Sequence, residues 1–127
     1  IFGIGTDIIN IKRIEKSLRK KGSKFKNKIF TKKEMLYCES KKKPSSYYAK
    51  RFAAKEAFVK ALGTGFRDQI NLNNIEIKND KLGKPYINTN SKLNKIIEKI
   101  FKIKKYNVYL SISDEKNYAI ANVIITK

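Results

Sequence analysis

Arg51-Phe52-Ala53-Ala54-Lys55-Glu56-Ala57-Phe58-Val59-Lys60-Ala61-Leu62-Gly63-Thr64-Gly65 is a small-residue, apolar run into which one carboxylate and several cations are set. At helical spacing, Ala49, Phe52, Ala53, Glu56 and Lys60 share one face, so Glu56 and Lys60 interrupt what is otherwise a stripe for the core. A charge on such a face asks for a partner, and Asp7 is the candidate. It follows a short apolar run from Ile1 to Ile4 that reads as a buried strand leading to a cleft. Two carboxylates in one site repel unless a cation neutralises them. Mg²⁺ suits the pair, because it takes one or two carboxylates, keeps waters and completes its shell with phosphate oxygens. Gly63-Thr64-Gly65 lets backbone approach an anion, and Arg51 and Lys55 precede Lys60 on the same helix. The plain alternative is that Glu56 and Lys60 form an i,i+4 surface pair worth about 0.2–0.5 kcal/mol, and that Asp7 is a turn or cap residue.

Around this segment the pattern is α+β. Ile1 to about Ile9 is expected as a strand, and Ile11, Ile14 and Leu18 mark a helix from Ile11 to Lys21 that Gly22 stops. Thr31 with Glu34 fits a capping box that opens a second helix running to about Glu39. Pro44 and two serines form a loop in which Ser45 or Ser46 caps the long helix. Ile75 to Lys78 and Pro85 to Ile87 read as short strands joined by a turn at Asp80 to Gly83. Leu93, Ile96, Ile97 and Ile100 mark a further amphipathic helix. Alternating Val108, Leu110, Ile112 and Ala119, Ala121, Val123, Ile125 read as a hairpin turning near Asp114 to Asn117. Tyr109, Ser111 and Ser113 fall on the opposite face of that strand, compatible with a polar face that meets a ligand.

The order Gly3-Ile4-Gly5-Thr6-Asp7-Ile8, Ile29-Phe30-Thr31 with Glu34, the Arg51 to Gly65 segment, Asp80 with Gly83-Lys84-Pro85, and Leu110-Ser111-Ile112-Ser113 resembles the holo-acyl-carrier-protein synthase family, the short bacterial-type 4′-phosphopantetheinyl transferases. The resemblance spans nearly the whole chain in the family's order. It implies the 4′-phosphopantetheinyl transferase fold, a single compact domain over residues 1–127 and a homotrimer with sites at subunit interfaces. It also implies transfer of the phosphopantetheine arm of coenzyme A to a serine of apo acyl carrier protein, with release of 3′,5′-ADP, in support of fatty acid biosynthesis.

On that resemblance Asp7 and Glu56 hold Mg²⁺, and Glu56 and Lys60 are catalytic, with Lys60 on the departing phosphate. Arg51, Lys55, Lys60, Gly63, Thr64, Gly65, Pro85, Ser111 and Ser113 bind coenzyme A. Arg13 and Lys28 match positions that face the carrier protein, or are simply exposed. Many family members place histidines beside the Ser-Ile-Ser core. Here Tyr109 and Asp114 stand there, and the chain has no histidine. The serine proton then goes to Glu56, to a water on the metal or to solvent, while Tyr109 either offers a hydroxyl to phosphate or packs as an aromatic.

Composition bounds the remainder. A chain of 127 residues supports one core. Lone Cys38 excludes an intramolecular disulfide, and with no signal-like or long apolar segment the expected setting is the cytoplasm, or a plastid-like organelle if a presequence preceded Ile1. Thirty basic against eleven acidic residues give a net charge of +19, which attracts polyanions without selecting one. Most cations are lysines in an Ile- and Asn-rich chain, the profile of AT-rich coding, so runs such as Lys41-Lys42-Lys43 read as solvated surface. No nucleic-acid motif accompanies the charge, and no specific nucleic acid is expected. A basic nucleic-acid-binding domain and an idle scaffold lacking the family histidines are the competing classes.

Overall fold

The computed structural model describes residues 1–63 and 70–127. Strand β1 (Gly3–Asn10) leads into helix α1 (Ile11–Ile29), followed by α2 (Lys32–Glu39) and the long α3 (Pro44–Leu62). A 3₁₀ turn (Leu72–Asn74) precedes the β2 (Glu76–Asn79) and β3 (Pro85–Asn88) hairpin, helix α4 (Ser91–Phe101), and the β4 (Asn107–Asp114) and β5 (Tyr118–Thr126) hairpin. The sheet order is β1-β5-β4, antiparallel throughout, with β2-β3 as a separate antiparallel pair. This is the expected α+β arrangement.

Several local signals act as the sequence reading expects. The Thr31 hydroxyl accepts from Glu34 N at 3.2 Å while Glu34 Oε1 accepts from Thr31 N at 2.9 Å, a complete capping box. Gly22, at φ 51°, breaks α1 where the stop was placed, but the helix resumes beyond it to Ile29. The resumed turn has its own apolar anchors in Phe25, Ile29 and Phe30, which join the core. One expectation is corrected: neither Ser45 nor Ser46 caps α3. Lys43 is the N-cap residue with no side-chain cap, and Pro44 opens the helix, its missing N–H being one that a first turn leaves unpaired anyway.

Helix α3 lies against one face of the β1-β5-β4 sheet, with α1 and α2 on its other sides. It is therefore enclosed around nearly its whole circumference, and among the residues of its second half only Phe52, Glu56 and Lys60 are not buried. Ala119, Ala121 and Val123 of β5 are fully covered beneath it. Contact with β1 is closer still. A Cβ on Gly5 would lie 1.9 Å from the Ala57 carbonyl oxygen, and one on Gly3 would lie 1.9 Å from that of Ala61. Gly3-x-Gly5-x-Asp7 is thus a strand whose inward positions are bare until Asp7, which brings a carboxylate to the helix surface.

Candidate active site

Asp7 follows Gly3 and Gly5 on the inward face of β1 and is mostly covered, its side chain 15% exposed. The Lys60 ammonium donates to Asp7 Oδ1 at 2.9 Å and to the Thr6 carbonyl at 3.1 Å. Glu56 lies about one helical turn before Lys60 and next to Ala57, the residue on which Gly5 packs; its side chain is partly buried. The β1–α3 contact therefore gathers the Asp7 carboxylate and the Lys60 ammonium, with Glu56 one helical turn before Lys60 on α3. Hard carboxylate oxygens from two rigid elements fit Mg²⁺, and the cation already against Asp7 shows that this oxygen faces positive charge. Among the described residues no group of three or more His, Cys, Asp or Glu could hold a metal, so a cation held by two carboxylates here would need water or phosphate for its remaining ligands.

Arg51, nine residues before Lys60 on α3, is buried. Its Nη2 donates to Asn79 Oδ1 at 2.8 Å, and its guanidinium carbon stands 4.1 Å from the centre of the Tyr37 ring. Asn79 in turn donates from Nδ2 to the Gly83 carbonyl at 3.0 Å and pairs in register with Pro85. Asp80 Oδ1 accepts from Leu82 N and Lys84 N, closing the turn. Arg51 and Pro85, both expected at the site, are thereby tied together through Asn79, a residue that no sequence pattern singles out. Arg51 Nε has no hydrogen-bond partner among the described residues.

Lys55 does not join them. Its side chain is fully buried, and its ammonium donates to Glu34 Oε1 (2.6 Å), the Ile29 carbonyl (2.6 Å) and the Leu72 carbonyl (3.1 Å). All three hydrogens are used within the protein, so in this structure none is left for a nucleotide phosphate. Ser111 and Ser113 also lie apart from Asp7 within one chain. They are exposed on the sheet face that turns away from α3, in the row where Ser111 pairs with Asn122 and Asn122 with Thr6. Tyr109 is on the same open face, 56% exposed. Gly63 ends α3 at φ 102°, a backbone that favours glycine, whereas Thr64 and Gly65 lie outside the described residues. Cys38 is fully buried in α2 with its thiol pushed up to about 12 by burial, an inert packing residue.

A cleft of about 820 Å³ runs beside α1, floored by Phe25, Ile29 and Ile70 and rimmed by Lys20, Lys24 and Lys28. Asp7, Glu56 and Lys60 do not line it, so it is a cationic groove apart from the carboxylate centre.

Residues 3–123 match the 4′-phosphopantetheinyl transferase superfamily model. The chain is 50% identical over 127 residues to a holo-[acyl-carrier-protein] synthase of Pelagibacter ubique, covering 100% of this chain and 98% of that one. In solved structures it is similar to holo-[acyl-carrier-protein] synthase from Neisseria meningitidis, with TM-score 0.87, 45% identity and coverage of 100% and 99%. It is also similar to the enzyme from Bacillus anthracis in complex with CoA (3′,5′-ADP), with TM-score 0.79, 38% identity and coverage of 98% and 96%. The chain belongs to the 4′-phosphopantetheinyl transferase superfamily, within its holo-acyl-carrier-protein synthase family.

Proposed function

We propose that residues 1–127 form a single Mg²⁺-dependent holo-[acyl-carrier-protein] synthase domain, which moves the 4′-phosphopantetheine arm of coenzyme A onto a serine of apo acyl carrier protein and releases 3′,5′-ADP, supporting fatty acid biosynthesis. The observation that carries this reading is the joining of Asp7 to Lys60 at the glycine-lined β1–α3 contact, with Glu56 one helical turn before Lys60, in a chain that matches the family along nearly its whole length.

Asp7 and Glu56 hold the cation, which when bound supplies charge neutralisation at the pyrophosphate. Lys60, anchored between Asp7 and the Thr6 carbonyl, has the reach to put its ammonium on the phosphate that departs. With no imidazole in the chain, the serine proton goes to Glu56, to a water on the cation or to solvent. Arg51 holds the Asn79–Pro85 turn as one wall for the nucleotide, and Gly63 opens the backbone next to it.

Ser111 and Ser113 serve a site across a subunit boundary, in the homotrimer that the family resemblance implies. The support is the open sheet face, where Ile4 (68%), Ile8 (61%), Tyr109 (56%) and Tyr118 (44%) lie exposed together. Exposed Arg13 and Lys28, with the lysine-rimmed groove beside α1, attract the acidic carrier protein. No described helix is long and apolar enough to cross a membrane, and we place the enzyme in the cytoplasm or a plastid-like organelle.

Incubation with coenzyme A, Mg²⁺ and apo acyl carrier protein should yield the phosphopantetheine adduct by mass spectrometry. Asp7→Ala and Glu56→Ala should each abolish it while leaving the circular dichroism spectrum unchanged. Near-normal turnover of either variant at ordinary Mg²⁺ would remove the metal assignment, and no adduct from the unmodified chain would favour the idle scaffold.

A further inference from the structure

We infer that the buried Glu34–Lys55 pair is a positioning device for the face of α3 that presents Glu56 and Lys60, an inference that rests on the assignment of those two residues above. The acceptors around the Lys55 ammonium come from the end of α1 (Ile29), the start of α2 (Glu34) and the 3₁₀ turn (Leu72). Glu34 extends the connection: Oε1 accepts from Thr31 N at 2.9 Å and Oε2 from Ile77 N of β2 at 2.8 Å. Lys55 thus ties α3 to three segments and Glu34 adds β2 as a fourth, through directional bonds, and both members of the pair are sealed from solvent.

A buried ion pair is a poor way to gain stability, since desolvation offsets its attraction and an apolar pair of similar volume often serves as well. What it adds is direction. The opposite side of α3 rests on bare glycines of β1, a contact that sets closeness but supplies no side-chain bond of its own. Glu56 is the next residue after Lys55, about 100° round the helix, so a rotation of α3 that loosens the Lys55 bonds also shifts Glu56 relative to Asp7 on β1. Burial draws the Lys55 pKa below its ordinary 10.5, and the Glu34 carboxylate opposes that pull.

The test is the double variant Glu34→Gln/Lys55→Met, which removes both charges and leaves no buried charge unpaired. Circular dichroism should show a folded chain. Mn²⁺ binding with coenzyme A present, followed by electron paramagnetic resonance, should weaken about 10–100-fold, the range seen when groups that orient metal ligands are lost. The kcat should fall by up to about 10²-fold, as for an active-site group displaced by about 1 Å, while KM for the carrier protein stays within about twofold. A folded double variant with unchanged Mn²⁺ affinity and kcat overturns the inference. If the double variant does not fold, Glu34→Asp decides, because it keeps both charges and shortens one arm. At a melting temperature close to that of the unmodified chain it should still lose Mn²⁺ affinity and kcat, and unchanged values overturn the inference equally. Glu56→Ala run in parallel separates the two readings: unweakened Mn²⁺ binding there refutes the metal assignment, whereas weakened binding there beside an unaffected pair variant refutes only the positioning role.

Discussion

At the scale of single residues, Lys60 and Lys55 stand five positions apart on one helix and have opposite fates. Lys60 keeps 46% of its side chain exposed while pairing with Asp7; Lys55 has none exposed and spends every donor on the protein. Only the first can meet a ligand. Replacing Lys60 by Ala should lower kcat by a factor equivalent to about 2.7–4 kcal/mol, the usual contribution of one preorganised contact to developing charge, with Mg²⁺ dependence retained. Lys60→Arg should recover part of that loss, because a planar guanidinium differs from a compact ammonium in shape and reach. If Lys60 were only a partly exposed partner of Asp7, the Ala variant would lose about 0–1 kcal/mol of stability and no turnover. Steady-state kinetics measured beside the melting temperature decides.

At the scale of elements, the site depends on how closely a strand and a helix approach. Gly5 lies against the Ala57 carbonyl, a backbone atom that cannot rotate aside. Gly5→Ala should therefore push α3 from β1 and destabilise the chain by about 1–3 kcal/mol or more, the cost of overpacking a fitted interior, read by urea denaturation. Activity should fall further than stability explains, since Asp7 and Glu56 belong to the two elements being parted. An Ala variant as stable as the unmodified chain would mean that the close contact is not needed. Gly22 offers the contrast: a Cβ there meets nothing within 4 Å, and its role is the positive φ that breaks α1.

At the scale of the whole molecule, the sheet has one face sealed by α3 and one face open. Antiparallel sheets tolerate a wet face, but this one carries isoleucines and tyrosines among Thr6, Ser111 and Asn122. Sedimentation should find a trimer for the unmodified chain. Ile8→Lys, which changes only an exposed position, should shift the species to monomer and remove transferase activity while leaving secondary structure intact. A fully active monomer would refute a site shared between subunits. The net charge of +19 acts over a longer range, speeding encounter with an acidic partner within a screening length of about 8 Å at physiological salt.

What the sequence determined by itself was whatever depends on neighbours along the chain. The capping box at Thr31 and Glu34, the break at Gly22, the final hairpin and the face shared by Glu56 and Lys60 all follow from spacing and local backbone preference. Gly3-x-Gly5-x-Asp7 and the Arg51 to Gly65 run are distinctive as patterns and marked Asp7 and Glu56 as candidates, whereas the bond from Lys60 to Asp7 came from the packing of β1 on α3. The fate of Lys55 was not legible, because a lysine beside a glutamate on a helix reads the same whether its ammonium meets a phosphate or three acceptors brought from α1, α2 and the 3₁₀ turn. Glu34 was visible only as a capping residue, and its bond to Ile77, 43 positions away, depends on β2 folding back onto α2. Asn79 belongs to the same class. Long-range contacts decide which polar groups are desolvated and which face water, and those contacts exist only once the tertiary structure has formed.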